Sequence, residues 1–174
     1  MMSQKTINMT RFFVFIISLF SVITYSQEQL SSIPFRTSKI VLDGEINEAI
    51  WKELPEITNF HNLAPTDAGL AKNQTSVKLF HNGSKLFVRA IYNDSTSKVQ
   101  VSSLKRDVSI ALSDAFIMVF DTQNQQQSGY LFAANAYGTQ VDALVEKKNQ
   151  GYGLNFSWST IWEVKTSQQG NQKI

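Results

Sequence analysis

The sequence contains no cysteine. That absence removes disulfides, thiolate zinc sites, cysteine nucleophiles and a lipid-modified cysteine at an export cleavage site. Histidine is nearly absent too: His61 and His81 are the only two, and neither stands in a nucleophile-elbow or metal-ligand spacing. Triad hydrolysis and zinc chemistry therefore lack their base and their ligands. The eight glycines form no phosphate-cradling loop. Charge is sparse, at 17% of residues, and the net +2 comes from Lys5 and Arg11 near the N-terminus; the remaining charges balance. A neutral domain without a Lys/Arg run has no electrostatic footprint for nucleic acid or anionic lipid. What is present is 43% hydrophobic residues in a chain of 174, enough for one core and not for a disordered tail.

Residues 1–26 have the three parts of a secretory signal peptide: the basic Met1 to Arg11, the apolar Phe12 to Ile23, and small or neutral Thr24 and Ser26 before the expected cleavage point. Twelve apolar residues span about 18 Å as a helix, short of the roughly 30 Å hydrocarbon core, so export is expected rather than a membrane span. The expected location is periplasm, outer membrane or extracellular space. Residues 27–38 are polar and contain Pro34, which predicts an irregular lead-in. Residues 39–174 form the single domain.

Within it, Lys39-Ile40-Val41-Leu42 predicts a short strand closed by Asp43-Gly44. Asn47 is placed to cap a short helix running through Leu54, with Ile46 stapling against Trp51 and Pro55 ending it. From Thr75 the apolar period becomes two. Asn82-Gly83 predicts a two-residue type I′ hairpin that pairs Leu79 with Leu86 and Val77 with Val88. Ala115 to Asp121 is apolar on both faces and predicts a central strand covered above and below. Thr122 to Ser128 is a loop. Gly129 to Asn135 and Thr139 to Val145 then predict a second hairpin across Ala136-Tyr137-Gly138. That hairpin puts Leu131, Ala133, Val141 and Ala143 on one face and Tyr130, Phe132, Gln140, Asp142 and Leu144 on the other. Trp162 to Thr166 predicts a last strand, Ser167 to Gln172 a turn, and no return strand is evident, so a fragment of a longer protein is expected. The class is all-β: an antiparallel β-sandwich, jelly-roll or immunoglobulin-like, with one short N-terminal helix.

Glycoside hydrolysis needs two carboxylates about 5.5 Å or 6.5–9.5 Å apart, and nothing in the spacing of Asp107, Asp114, Asp121 and Asp142 supplies such a pair. Asp142 and Glu146 share a face but lie about 13 Å apart along a strand. No catalytic residue is therefore expected in this segment. No cofactor is implied; calcium is the one candidate, at Asp94, at Asp107 with Asp114, or at Asp121 with Asn124, where turn capping accounts for the same residues. A sugar site needs a flat ring and planar polar groups beside it. Tyr130, Gln140 and Asp142 have that makeup, Trp158 and Trp162 add larger rings, and Arg106, Asp107, Asp114 and Asn135 are placed to orient hydroxyls. Core packing accounts better for Phe132 and Trp162, and equally well for Tyr130 and Trp158.

The run from Ile40 to Trp51 (IVLDGEINEAIW) resembles the opening of the family 9 carbohydrate-binding modules. Leu86 to Ala90 with Asp94 resembles the next hairpin of that fold. The ordered set Arg106-Asp107, Ser113 to Phe116, Phe120 to Thr122, Gly129 to Phe132, Asn135, Gly138 and Gln140 to Asp142 is similar to the branch found at the N-terminus of large exported Bacteroidetes-type proteins with a C-terminal outer-membrane region. The resemblance covers about Lys39 to Thr166. It implies a glycan-binding β-sandwich without chemistry of its own, associated with carbohydrate breakdown, whose partners are a glycan and its own outer-membrane region. It departs at the sugar clamp: Ile110-Ala111-Leu112 stands where sugar-binding members carry a Trp, Ile117 where they carry an acid, and their second Trp falls beyond Ile174. A docking module of an outer-membrane protein and part of a glycoside hydrolase are the other readings of the same residues.

Overall fold

The structure, a computed structural model, describes residues 32–63, 69–94, 98–107, 112–170 and 172–174. The expected leader, residues 27–31 of the lead-in, and Ile110 and Ala111 lie outside these residues. The chain is an all-β sandwich of two four-stranded antiparallel sheets. Its elements are α1 (Ile50–Glu53), β1 (Thr75–His81), β2 (Leu86–Asn93), β3 (Ala115–Phe120), β4 (Ser128–Asn135), β5 (Gln140–Lys147), β6 (Tyr152–Asn155), β7 (Gln168–Gln169) and β8 (Gln172–Lys173). The first sheet runs β1-β2-β8-β7 and the second β3-β4-β5-β6. Among the described residues no helix is long and apolar enough to cross a membrane.

The first sheet is packed from its aromatic face. Phe80 is fully buried, stacks on Phe87 with ring centres 4.8 Å apart, and meets Trp51 edge-on at 5.5 Å. Ile50, Trp51 and Leu54 complete this core, with Ile46 and Ile40 against it. The helix is a single turn, too short to persist without that packing. Its expected cap is corrected: Ala49 occupies the cap position and no side chain caps it. The Glu48 carboxylate instead accepts from the Trp51 indole and from the Val41 N–H, both at 3.1 Å. That side-chain bond replaces a ladder partner, so 39–42 is an irregular segment and not the expected strand.

The first hairpin differs from expectation by two residues. Its pairs are Leu79 with Val88 and Val77 with Ala90, because the Asn82 side chain accepts from the N–H groups of both Ser84 and Lys85 and opens a four-residue turn. Gly83 has φ 94° but Asn82 is not left-handed, so the turn is not type I′. A shift of two preserves the faces, since the side-chain period is two.

The second hairpin has the expected register, with Leu131 opposite Ala143 and Phe132 opposite Asp142, and Gly138 takes φ 75°. Leu131, Ala133, Val141, Ala143 and Val145 form the apolar core of this sheet. The expected central strand, however, is an edge among the described residues: there β3 pairs only with β4, and β5 is the strand buried on both faces, through consecutive Val141, Asp142 and Ala143. The end of the chain is also corrected. Residues 158–167 form no ladder, and the return strand exists as β8, which pairs Lys173 with Tyr92 and Gln172 with Asn93. Lys173 then joins the sheets, its ammonium 2.6 Å from Asp94 after β2 and 3.6 Å from Asp114 before β3.

Candidate functional site

Strand β5 projects Gln140 and Asp142 to the face opposite its apolar core, as period-two geometry requires. Strand β6 covers only Leu144 to Lys147 of the β5 edge. Asp107 takes the remaining half: its N–H donates to the Gln140 carbonyl at 3.2 Å, and its carboxylate accepts from the Asp142 N–H at 3.3 Å. The left-handed backbone of Asp107, φ 58°, turns the chain at this point. Neighbouring Arg106 lies across the face, donating to Asp142 at 2.6 Å, to Gln140 at 2.8 Å and to Asp107 at 3.1 Å.

The segment after β6 closes over this network. Thr160 N–H donates to Asp142 at 2.7 Å, the Gln140 amide donates to the Trp162 carbonyl at 2.8 Å, and the Trp162 indole reaches Asp142 at 3.4 Å. Arg106, the Thr160 N–H and the Trp162 indole thus converge on the carboxylate of Asp142, whose side chain is inaccessible to solvent. Burial by itself pushes that carboxyl up, but the bonds from Thr160, Ser159 and Trp162 and the charge of Arg106 outweigh it and hold it below its ordinary value.

The rings pack beside the network. Tyr130 and Trp158 lie 4.9 Å apart, and Phe132 meets Trp158 at 6.0 Å and Trp162 at 5.5 Å, edge-on to each. Trp162, Gln140, Leu42, Gly138, Glu163, Val164 and Lys165 line a groove of about 420 Å³. Glu163 and Lys165 are exposed there and have no hydrogen-bond or ion-pair partner among the described residues.

The structure therefore brings Arg106, Asp107, Gln140 and Asp142 together, but only Gln140 faces the groove. Arg106 holds its amide oxygen and the Trp162 carbonyl its amide nitrogen, while Asp107 and Asp142 hold Arg106. Tyr130 and Trp158 are packed on one another. Asn135 serves its turn, accepting from the Tyr137 and Thr139 N–H groups at 3.0 Å each. Asp114 sits apart, accepting from the Gln100 N–H at 2.9 Å. Trp162, for which the sequence favours core packing, lines the groove as well, and Glu163 and Lys165 are groove residues that sequence reasoning passed over. The signal was available in Trp-Glu-Val-Lys, where a large ring alternates with unpaired charges.

No group of three metal-ligating side chains occurs among the described residues. Each carboxylate considered for calcium has protein donors: Lys173 for Asp94, Arg106 for Asp107, Gln100 for Asp114, and the N–H groups of Gln123 and Gln126 for Asp121. Comparisons with protein-family models, curated proteins and solved structures give no match for this chain.

Proposed function

We propose that this chain is an exported, non-catalytic module that binds a neutral glycan in the groove beside Gln140 and Trp162. The observation that carries the reading is the pairing, in one groove of about 420 Å³, of an indole with a primary amide whose rotamer is locked from behind. A flat ring covers the apolar face of a pyranose, and a fixed amide offers hydroxyls both a donor and an acceptor. The volume lies in the about 300–1,000 Å³ range of small-molecule sites. Locking Gln140 through Arg106 and Asp142 reduces the ordering cost on binding. Among the described residues Glu163 is the one carboxylate lining the groove, whereas glycoside hydrolysis draws on a flanking pair. Affinity on such an open face is weak, and serves to hold a larger assembly near its substrate.

Calorimetric titration of the protein with a panel of neutral oligosaccharides tests this. Binding is expected with the wild type and is expected to fall by at least about tenfold in Trp162→Ala. Glu163→Ala, which removes an exposed and unpartnered group, is expected to weaken binding without moving the melting temperature. Tyr130→Ala is expected to do the reverse, lowering the melting temperature while the folded protein keeps its affinity, because its ring packs on Trp158 outside the groove. An absence of heat with every neutral glycan overturns the reading.

A further inference from the structure

The four sheet edges are not alike. The outer edge of β1 is occupied by the lead-in, with His81 N–H donating to Pro34 at 3.0 Å and Arg36 N–H to His81 at 2.9 Å, and by Ile57, which exchanges two bonds with Val77. Strand β6 has four residues, one of them Gly153, and β7 has two. Short or covered edges of this kind are how soluble proteins avoid pairing with other chains. Strand β3 has neither protection. Its six residues, AFIMVF, include no charge, proline or glycine, and its outer edge has no backbone partner among the described residues. Ile117 is 51% exposed and Val119 55%, although both lie on the face that carries the Leu131 and Ala133 core.

We propose that β3 is the edge through which two copies of this chain join, antiparallel, about a two-fold axis passing at Met118. The register follows from symmetry and pleat. A two-fold axis normal to the sheet carries each face onto itself, so a residue is able to oppose only positions an even number of places away. Centring on Met118 sets Ile117 against Val119 of the partner subunit, and Phe116 against Phe120 of the partner subunit. The exposed side chains then cover one another as cross-strand pairs. Asp121 falls opposite Ala115 of the partner subunit, so the two acids stay at opposite ends of the seam. The pairing is isologous, closes on itself, and extends the second sheet to eight strands without leaving β3 open. A seam of one strand is small, which places the dimer among weak and concentration-dependent associations.

Sedimentation of the protein across a concentration series is expected to show a monomer–dimer equilibrium. Ile117→Lys is expected to weaken it by at least about tenfold while leaving the circular dichroism and melting of the monomer unchanged, since Ile117 is exposed. The register has its own readout, because a chain without cysteine makes any introduced thiol unique. Mixed I117C and V119C chains are expected to form a heterodimeric disulfide under mild oxidation, and I117C alone to form far less. A monomer at all concentrations up to about 1 mM, a dimer indifferent to Ile117→Lys, or linkage of I117C with itself as the main product overturns the proposal. None of these readouts depends on glycan binding.

Discussion

Asp142 shows how one buried carboxylate organises a site that it does not itself enter. Its period-two partner Gln140 and its place opposite Phe132 are readable from the alternation of β5 and from the Gly138 turn. What escapes sequence reading is burial: an Asp among rings looks like a solvent-facing hydroxyl ligand until Arg106, Thr160 and Trp162 are seen to converge on it, from 36, 18 and 20 positions away. Those separations carry no local signal. The same reason makes Trp162 read as core from the sequence, since the groove wall beside it is built by Leu42 and Gly138 from elsewhere in the chain. Removing the carboxylate leaves Arg106 and the Thr160 N–H without their acceptor, so Asp142→Ala is expected to cost roughly 3 kcal/mol, at the lower end for a buried pair because Arg106 is partly exposed. The pH dependence has a definite sign. A carboxyl held below its unfolded value of about 3.9 contributes stability that is present above that value and is lost as pH falls through the folded one. Melting temperatures of wild type and Asp142→Asn are therefore expected to differ at pH 7 and to draw together progressively as pH falls below about 4. A constant gap across that window counts against the assignment.

At the scale of elements, legibility followed the turns. The hairpin of β4 and β5 has the expected register because Gly138 occupies the single left-handed position that its loop requires. The hairpin of β1 and β2 slipped because the Asn82 side chain competes with the backbone for Ser84 and Lys85, an alternative that Asn-Gly alone does not announce. The six apolar residues of β3 read as a central strand by hydrophobicity, yet the centre went to β5, whose Asp142 is buried because it is paired. Strand β8 is two residues long, below any periodicity signal, and is held by its lysine. Burial by itself lowers the Lys173 ammonium, but the bond and charge of Asp94, with Asp114 and Tyr92 beyond, outweigh it and raise it above its ordinary value. That stability is fully present below about pH 10.4 and is lost as pH rises through the raised value. Lys173→Met is expected to destabilise the protein by about 3–5 kcal/mol, and Asp94→Asn in the same chain to recover part of the loss. Equal melting of the single and double variants argues that the pair does not hold β8.

At the scale of the whole molecule, the two apolar clusters share no residue: Ile50, Trp51, Leu54 and Phe80 serve the first sheet, and Leu131 to Val145 the second. Two such clusters raise the question of whether the sheets unfold separately. The first sheet has only two strands of ordinary length, and a two-stranded ribbon is marginal without further packing. Its third strand, β8, is anchored through Lys173, which also faces Asp114 at the head of β3. Its helix approach is tied to the far end of the chain, where the Ser167 hydroxyl donates to the Gly44 carbonyl at 2.7 Å and Ser167 exchanges two backbone bonds with Ile174. Losing the second sheet releases Asp114 and the 158–167 segment that leads into β7, so the first sheet does not outlast it. One cooperative transition is therefore expected. The three tryptophans allow a direct reading, since Trp51 belongs to the first cluster while Trp158 and Trp162 lie on the second sheet. A variant retaining only Trp51 and one retaining only Trp162, with the other positions changed to Phe, are each expected to show the same denaturant midpoint by fluorescence as by circular dichroism. A Trp51 signal that changes at distinctly lower denaturant than the circular dichroism of the same variant would mean that the sheets are independent units and that the Lys173 link does not couple them.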